Sequence, residues 1–230
     1  MTALRIPHRN SRIGKFMHLV RKLNCQNDTG FQSLSLLIPR MINLTTINFS
    51  NNTNINDDCI RLIASYCPNL ESLNVSKCYC LTHKALYYIA KQFRYLKSLN
   101  ISSTGCVNDK SWIVLCVLND TLKHLNMASC YNLNWYNVHK IYPSSLATWD
   151  ISNNCRLNFD YLAGIANIRS KSDITDTLLI TCKNCESLTL GELSQLEGIS
   201  DAKMKFISNS LLKDYSSEGV REYIKLLLGV

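Results

Sequence analysis

A chain of 230 residues with 46% hydrophobic and 18% charged residues is globular rather than disordered. Its net charge of +8 comes without a Lys/Arg run of five or more and without an aromatic-glycine RNA-binding signature, so nothing points to specific nucleic-acid binding. No apolar run reaches the about 18 residues of a membrane-spanning helix, and the N-terminus lacks the continuous apolar core of a secretory signal.

Residues 1–18 carry Arg5, Arg9, Arg12 and Lys15, and no acidic residue precedes Asp28. This stretch reads as a basic terminal cap or tail, with an organellar transit segment as the other reading of a basic, acid-free start. Val20, Leu23 and Cys25 then open a degenerate first copy of a unit that becomes clear downstream, and Phe31 to Ile42 are apolar enough for its short helix. The next copies open at Leu44, Leu70, Leu96 and Leu122, each 26 residues after the last, as Leu44/Ile47/Phe49, Leu70/Leu73/Val75, Leu96/Leu99/Ile101 and Leu122/Leu125/Met127. A fixed period of this size marks a solenoid, whose units bury their apolar faces only against their neighbours.

Apolar and polar residues alternate at the start of each copy, which predicts a strand with one buried face. An apolar residue and a helix-capping residue follow: Ile55-Asn56, Leu81-Thr82, Val107-Asn108 and Leu133-Asn134. Helical spacing comes next, as Cys59/Leu62/Ile63, Ala85/Leu86/Ile89/Ala90 and Val138/Ile141. A fifth, shorter copy runs through Leu146, Trp149, Ile151, Leu157-Asn158 and a helix past Leu162 and Ile165.

The register blurs over residues 152–184. Cys182 to Leu190 matches Cys67 to Val75 position for position, which predicts a strand opening at Cys185, after either an insertion near residues 167–173 or a squeezed extra repeat. Ile199-Ser200 predicts a last cap with a helix from Asp201 to about Lys213, and Ser217 to Leu228 a second helix closing the stack. The expected organisation is a basic cap or tail at 1–18, a solenoid of six or seven repeats at 19–210, and a C-terminal capping helix at 211–230.

Residues that carry chemistry are few. The eleven cysteines form an odd number with no secretory signal before them, which predicts reduced thiols and a cytoplasmic or nuclear protein. Cys78 and Cys130 share one repeat position and Cys80 and Cys106 another, as small buried groups would. Cys182-x-x-Cys185 is half of a zinc or redox motif, but no second pair accompanies it, and the five histidines show no ligand spacing. With no nucleophile motif and no phosphate-binding glycine loop, the expectation is a non-enzymatic protein without metal or cofactor.

The exposed strand positions say more. One column reads Asn48, Asn74, Asn100, Asn126, Asp150; beside it run Thr46/Ser72/Ser98/His124/Thr148 and Ser50/Ser76/Ser102/Ala128/Ser152. In a stacked parallel sheet these columns line the inner, concave face, which is polar, small and almost uncharged. Asn48, Ser72, Asn74, Ser98, Asn100, His124, Asn126 and Asp150 are the candidate partner-binding residues. An asparagine ladder bonded side chain to side chain is the structural alternative, and the two are compatible. Replacing Asn74, Asn100 and Asn126 by Lys is then expected to abolish partner capture and leave the fold. Tyr79 and Tyr131 are candidate loop anchors, since aromatic residues dominate binding hot spots; Trp135 and Tyr136 directly follow a cap and are expected to fold over the first helical turn.

The pattern Leu-x-x-Leu-x-Val-x-x-Cys-x-x-Leu-Thr followed by an Ala-Leu-x-x-Ile-Ala helix, best matched by Leu70 to Ala90, resembles the cysteine-containing leucine-rich repeat. Such repeats are typical of F-box/leucine-rich-repeat proteins and of proteins similar to the antagonist of the mitotic exit network. The resemblance implies an α/β leucine-rich-repeat solenoid: a right-handed, ribonuclease-inhibitor-like horseshoe with parallel strands inside and helices outside. It also implies substrate recognition for an SCF-type ubiquitin ligase, with a protein substrate on the concave face and the ligase adaptor and cullin as partners. The Leu-Pro-x-Glu opening of an F-box is absent from residues 1–43. The alternative is a stand-alone repeat scaffold or assembly factor, mitochondrial if the basic start is a transit segment. A monomer is expected.

Overall fold

A computed structural model describes residues 17–27, 35–118, 120–134, 144–154, 157, 159–171, 176–183, 185, 188–201 and 203–208. Eight strands form one open parallel sheet in strict chain order. They are β1 (Lys22–Asn24), β2 (Thr46–Asn48), β3 (Ser72–Asn74), β4 (Ser98–Asn100), β5 (His124–Asn126), β6 (Thr148–Asp150), β7 (Leu178–Thr181) and β8 (Met204–Ile207). The helices between them are α1 (Asp57–Tyr66), α2 (His83–Gln92), α3 (Asp109–Leu118), α4 (Phe159–Ser170) and α5 (Leu190–Ile199). This is a stack of strand-loop-helix units, eight strands where six or seven units are expected.

The register is constant. Leu23, Ile47, Leu73, Leu99, Leu125, Trp149, Ile180 and Phe206 pair in succession, and this row forms the spine of the core. The apolar residues two positions on, from Phe49 and Val75 to Ile151, are fully buried with it. Trp149 fills the core position with an indole instead of a leucine. It stacks on Trp112 of α3 at 5.5 Å between ring centroids and meets the edge of Tyr161 of α4 at 6.4 Å.

Helix starts follow the sequence reading. Asn56 Oδ1 accepts the Cys59 amide at 3.1 Å, Thr82 Oγ1 the Lys84 amide at 3.3 Å and Asn108 Oδ1 the Ser111 amide at 2.9 Å. Asn158 and the helix expected at Val138/Ile141 lie outside the described residues, as do the closing helix Ser217 to Leu228 and most of residues 1–18. Of the short helix expected over Phe31 to Ile42, the described part is a 3-10 turn at Ile38–Arg40.

The irregular segment is where the expectations fail. No strand opens at Cys185. The strand is Leu178–Thr181, and Cys182 and Cys185 follow the core residue Ile180 by two and five positions, as Val75 and Cys78 follow Leu73. Leu188-Thr189 is therefore not a strand but the apolar-plus-cap pair. Thr189 caps α5 in a reciprocal box with Glu192, whose carboxylate is held below its usual pKa by the Thr189 amide and hydroxyl. The helix expected from Asp201 is likewise a strand. Ser200 ends α5, accepting no new helix; its amide bonds Leu196 O at 3.1 Å, and Met204–Ile207 pairs with β7. The extra length sits partly in α4, at 12 residues against 10 for α1 to α3.

The six strands β1 to β6 end in the same bend. Asn27, Asn51, Lys77, Ser103, Ser129 and Asn153 all have φ between 55° and 59°, four residues past the core position of their units. Asparagine tolerates this left-handed conformation better than other residues with a side chain, and β-branched residues worst. Lys77→Asn is expected to stabilise the protein by about 0.5 kcal/mol and Lys77→Ile to destabilise it by more than about 1 kcal/mol. Urea unfolding midpoints in the reverse order would contradict the shared bend.

Candidate functional site

The candidate residues lie where the columns place them. Asn48, Asn74, Asn100, Asn126 and Asp150 stand in register on adjacent strands, and so do Ser72, Ser98 and His124. All are half-buried except His124, which is exposed. His124 Nδ1 lies 2.9 Å from Thr148 Oγ1.

The asparagine column is not chiefly a side-chain ladder. In each unit Oδ1 accepts the backbone N–H two residues on, at 3.0 Å: Ser50 to Asn48, Ser76 to Asn74, Ser102 to Asn100, Ala128 to Asn126, and Ser152 to Asp150. This closes an Asx turn that leads into the left-handed bend. The one amide-to-side-chain bond along the column is Asn126 Nδ2 to Asp150 Oδ2 at 3.1 Å. Among the described residues, the Nδ2 groups of Asn48, Asn74 and Asn100 meet no protein acceptor, while each Oδ1 carries a turn bond.

The ladder proper is buried, one position past the bend. Asn52, Cys78, Thr104, Cys130, Asn154 and Cys185 occupy one place in successive units. Most reach the carbonyl of the preceding unit: Asn52 Nδ2 to Cys25 O at 3.2 Å, Cys78 Sγ to Phe49 O at 3.1 Å, Cys130 Sγ to Ile101 O at 3.4 Å, Asn154 Nδ2 to Met127 O at 3.1 Å and Cys185 Sγ to Ile151 O at 3.4 Å. Thr104 stays within its unit, bonding Ile101 O at 2.6 Å. The recurring thiol is thus a donor as well as a packing group. Burial pushes the Cys78 and Cys130 thiols up to about 11. Cys80 and Cys106, one period apart, part company: Cys106 is buried with its thiol pushed up to about 12, while Cys80 is exposed.

A surface depression of about 250 Å³ opens over β4 to β7. Five candidate residues converge on it, Ser98, Asn100, His124, Asn126 and Asp150, joined by Thr148 and Thr181. Thr181 escaped the sequence reading because it belongs to the misplaced strand. The volume lies below the about 300–1,000 Å³ of small-molecule sites. Asn48, Ser72 and Asn74 extend the same face beyond the depression. Tyr79 and Tyr131 are 63% and 57% exposed, at the same place two units apart, with Gly105 between them. Trp135 and Tyr136 lie outside the described residues. Among the described residues no group of three or more His, Cys, Asp or Glu is placed to hold a metal ion, and no helix is long and apolar enough to cross a membrane.

No known family pattern matches the chain, and no curated protein matches it. A chain in the crystal structure of the Rad7 and Elc1 complex in yeast is similar over 82% of this chain and 64% of its own length, at 15% identity and a TM-score of 0.39. The present chain therefore spans less than two thirds of that one.

Because each column asparagine closes a turn, replacing Asn74, Asn100 and Asn126 together does not leave the fold untouched. Each loses a bond worth about 1 kcal/mol, so Asn74→Ala is expected to lower the unfolding free energy by about that amount and the triple Lys variant by about three times as much, read from urea titrations. For the thiols, brief treatment of the native protein with iodoacetamide and peptide mapping is expected to find Cys80 alkylated before Cys78, Cys106 and Cys130.

Proposed function

We propose that this chain is a leucine-rich-repeat interaction module that recognises a protein substrate for an SCF-type ubiquitin ligase, without catalytic activity or cofactor of its own, in the cytoplasm or nucleus. The recognition half of this reading rests on the strand face. Asx turns engage the asparagine oxygens and leave amide donors, small hydroxyls and one histidine on an almost uncharged surface. Such a surface selects by hydrogen-bond pattern and shape, and the depression beside His124 and Asp150 gives a partner side chain a fixed seat. Tyr79 and Tyr131 add exposed aromatic area on the loops beside it. The ligase half rests on the resemblance of Leu70 to Ala90 to the cysteine-containing repeat.

The test separates the two halves. Affinity purification of the full chain from its own cell extract is expected to recover the ligase adaptor and cullin together with a substrate. Ser98→Lys combined with His124→Ala adds bulk and charge to the depression and removes none of the turn bonds. It is expected to keep adaptor and cullin and to lose the substrate by at least about ten-fold. Absence of adaptor and cullin overturns the ligase assignment and leaves a stand-alone scaffold; full substrate recovery by the folded double variant overturns the strand-face assignment.

A further inference from the structure

On the helix side, α2 and α3 leave a second depression between them, of about 280 Å³. Its floor is Tyr87, Tyr88 and Val114, and its rim is His83, Lys84 and Lys110. Lys91, one turn beyond, holds its ammonium 5.6 Å from the centre of the Tyr87 ring. The two tyrosine rings meet edge to face at 6.2 Å, so the apolar floor has a defined shape.

The charge at this place departs from the repeat. In α1 and α3 the first helical residue is an aspartate, and its carboxylate accepts the backbone N–H of the next unit's cap: Thr82 to Asp57 at 2.8 Å and Asn134 to Asp109 at 2.9 Å. In α2 that position is His83, which is exposed, and the Asn108 amide turns instead to Ser111 Oγ of its own unit at 2.9 Å. The carboxylate is missing where the depression opens, and α2 contains no acidic residue at all. The acids next to the rim in the chain or across a bond are both engaged, Asp109 with the Asn134 amide and Asp57 with Thr82.

From this juxtaposition we propose that the α2/α3 depression is a docking site for an acidic polypeptide segment with an aromatic or large aliphatic anchor. The anchor packs on Tyr87, Tyr88 and Val114, and flanking carboxylates pair with Lys84, Lys110 and His83. A flat anionic membrane fits less well, because the tyrosines and Val114 line a depression between two helices, which takes an inserted side chain rather than a flat surface. The site lies on a different element face from the strand surface, and its assignment is independent of the ligase reading.

The probe is a fluorescein-labelled peptide, Glu-Asp-Glu-Phe-Asp-Glu, titrated with the full chain by fluorescence anisotropy at low salt. Saturable binding is expected, weakened at least about ten-fold by Lys84→Glu with Lys110→Glu, by Tyr87→Ala, and by replacing the peptide's Phe with Ser. Lys123→Glu with Lys171→Glu makes the same change in net charge elsewhere, and is expected to alter the Kd by no more than about two-fold. Thermal melts followed by circular dichroism verify the folding of each variant, and Tyr87→Ala, which changes no charge, carries the test if the charge-reversal pair does not fold. Absence of saturable binding overturns the proposal. So does equal weakening by both charge pairs, which means net attraction only, or indifference to Tyr87 and the peptide's Phe. Tighter association with phosphatidylserine vesicles than with the peptide, lost in the Lys84/Lys110 variant, replaces the peptide with a membrane and also overturns it.

Discussion

The parallel backbone ladder does not stop where the strands stop. Phe49 N–H bonds Asn74 O at 2.7 Å and Asn51 N–H bonds Ser76 O at 2.8 Å, and the same two bonds recur from Val75 and Lys77 to Asn100 and Ser102, and from Ile101 and Ser103 to Asn126 and Ala128. Each unit must therefore bend at the same point as its neighbour or forfeit bonds on both sides. That requirement fixes the left-handed residue, the Asx turn before it and the buried donor after it. It holds the core row in register although the spacing between units varies, with 24 residues from Leu23 to Ile47, 26 from Ile47 to Leu73 and 31 from Trp149 to Ile180. Length differences are absorbed on the helix side, where no ladder constrains them.

The same constraint explains what the sequence could reveal. From Leu44 to Met127 the period, strand faces and caps are legible because local pattern and stack register agree. Past Ile151 they conflict. Glu186-Ser187-Leu188 repeats the letters of Glu71-Ser72-Leu73, yet Thr189 and Glu192 form a helix cap. Thr-Leu-Leu-Ile-Thr at 177–181 carries the β-branched strand signal without the opening leucine. What decides is the spacing of Ile180, Cys182 and Cys185, which reproduces the core, flank and buried-donor positions together. Ile199-Ser200 misleads in a similar way, since an apolar residue followed by serine ends a helix as readily as it begins one.

Candidate positions were equally legible, and their roles were not. A column of asparagines shows that one residue type recurs, not which of its atoms are engaged. Only the side-chain geometry separates Oδ1, committed to the turn, from Nδ2, which is not. The buried column mixing Asn, Cys and Thr was hidden because it conserves a donor and not a residue. The two sides of the stack thereby acquire different chemistry: the strand side is neutral and rich in hydrogen-bond donors, while the cleft between α2 and α3 is aromatic and cationic.

The stacked indoles of Trp112 and Trp149, with Tyr161 against Trp149, tie the unit of β4 and α3 to that of β6 and α4. They sit in the middle of a stack whose units touch mainly their neighbours. The pair lies away from both ends, so the near-ultraviolet signal of these packed rings is expected to report on the centre of the stack. Far-ultraviolet ellipticity averages over all units and registers the ends as well. The molecule thus contains its own optical gauge of whether it comes apart from the ends inward or all at once.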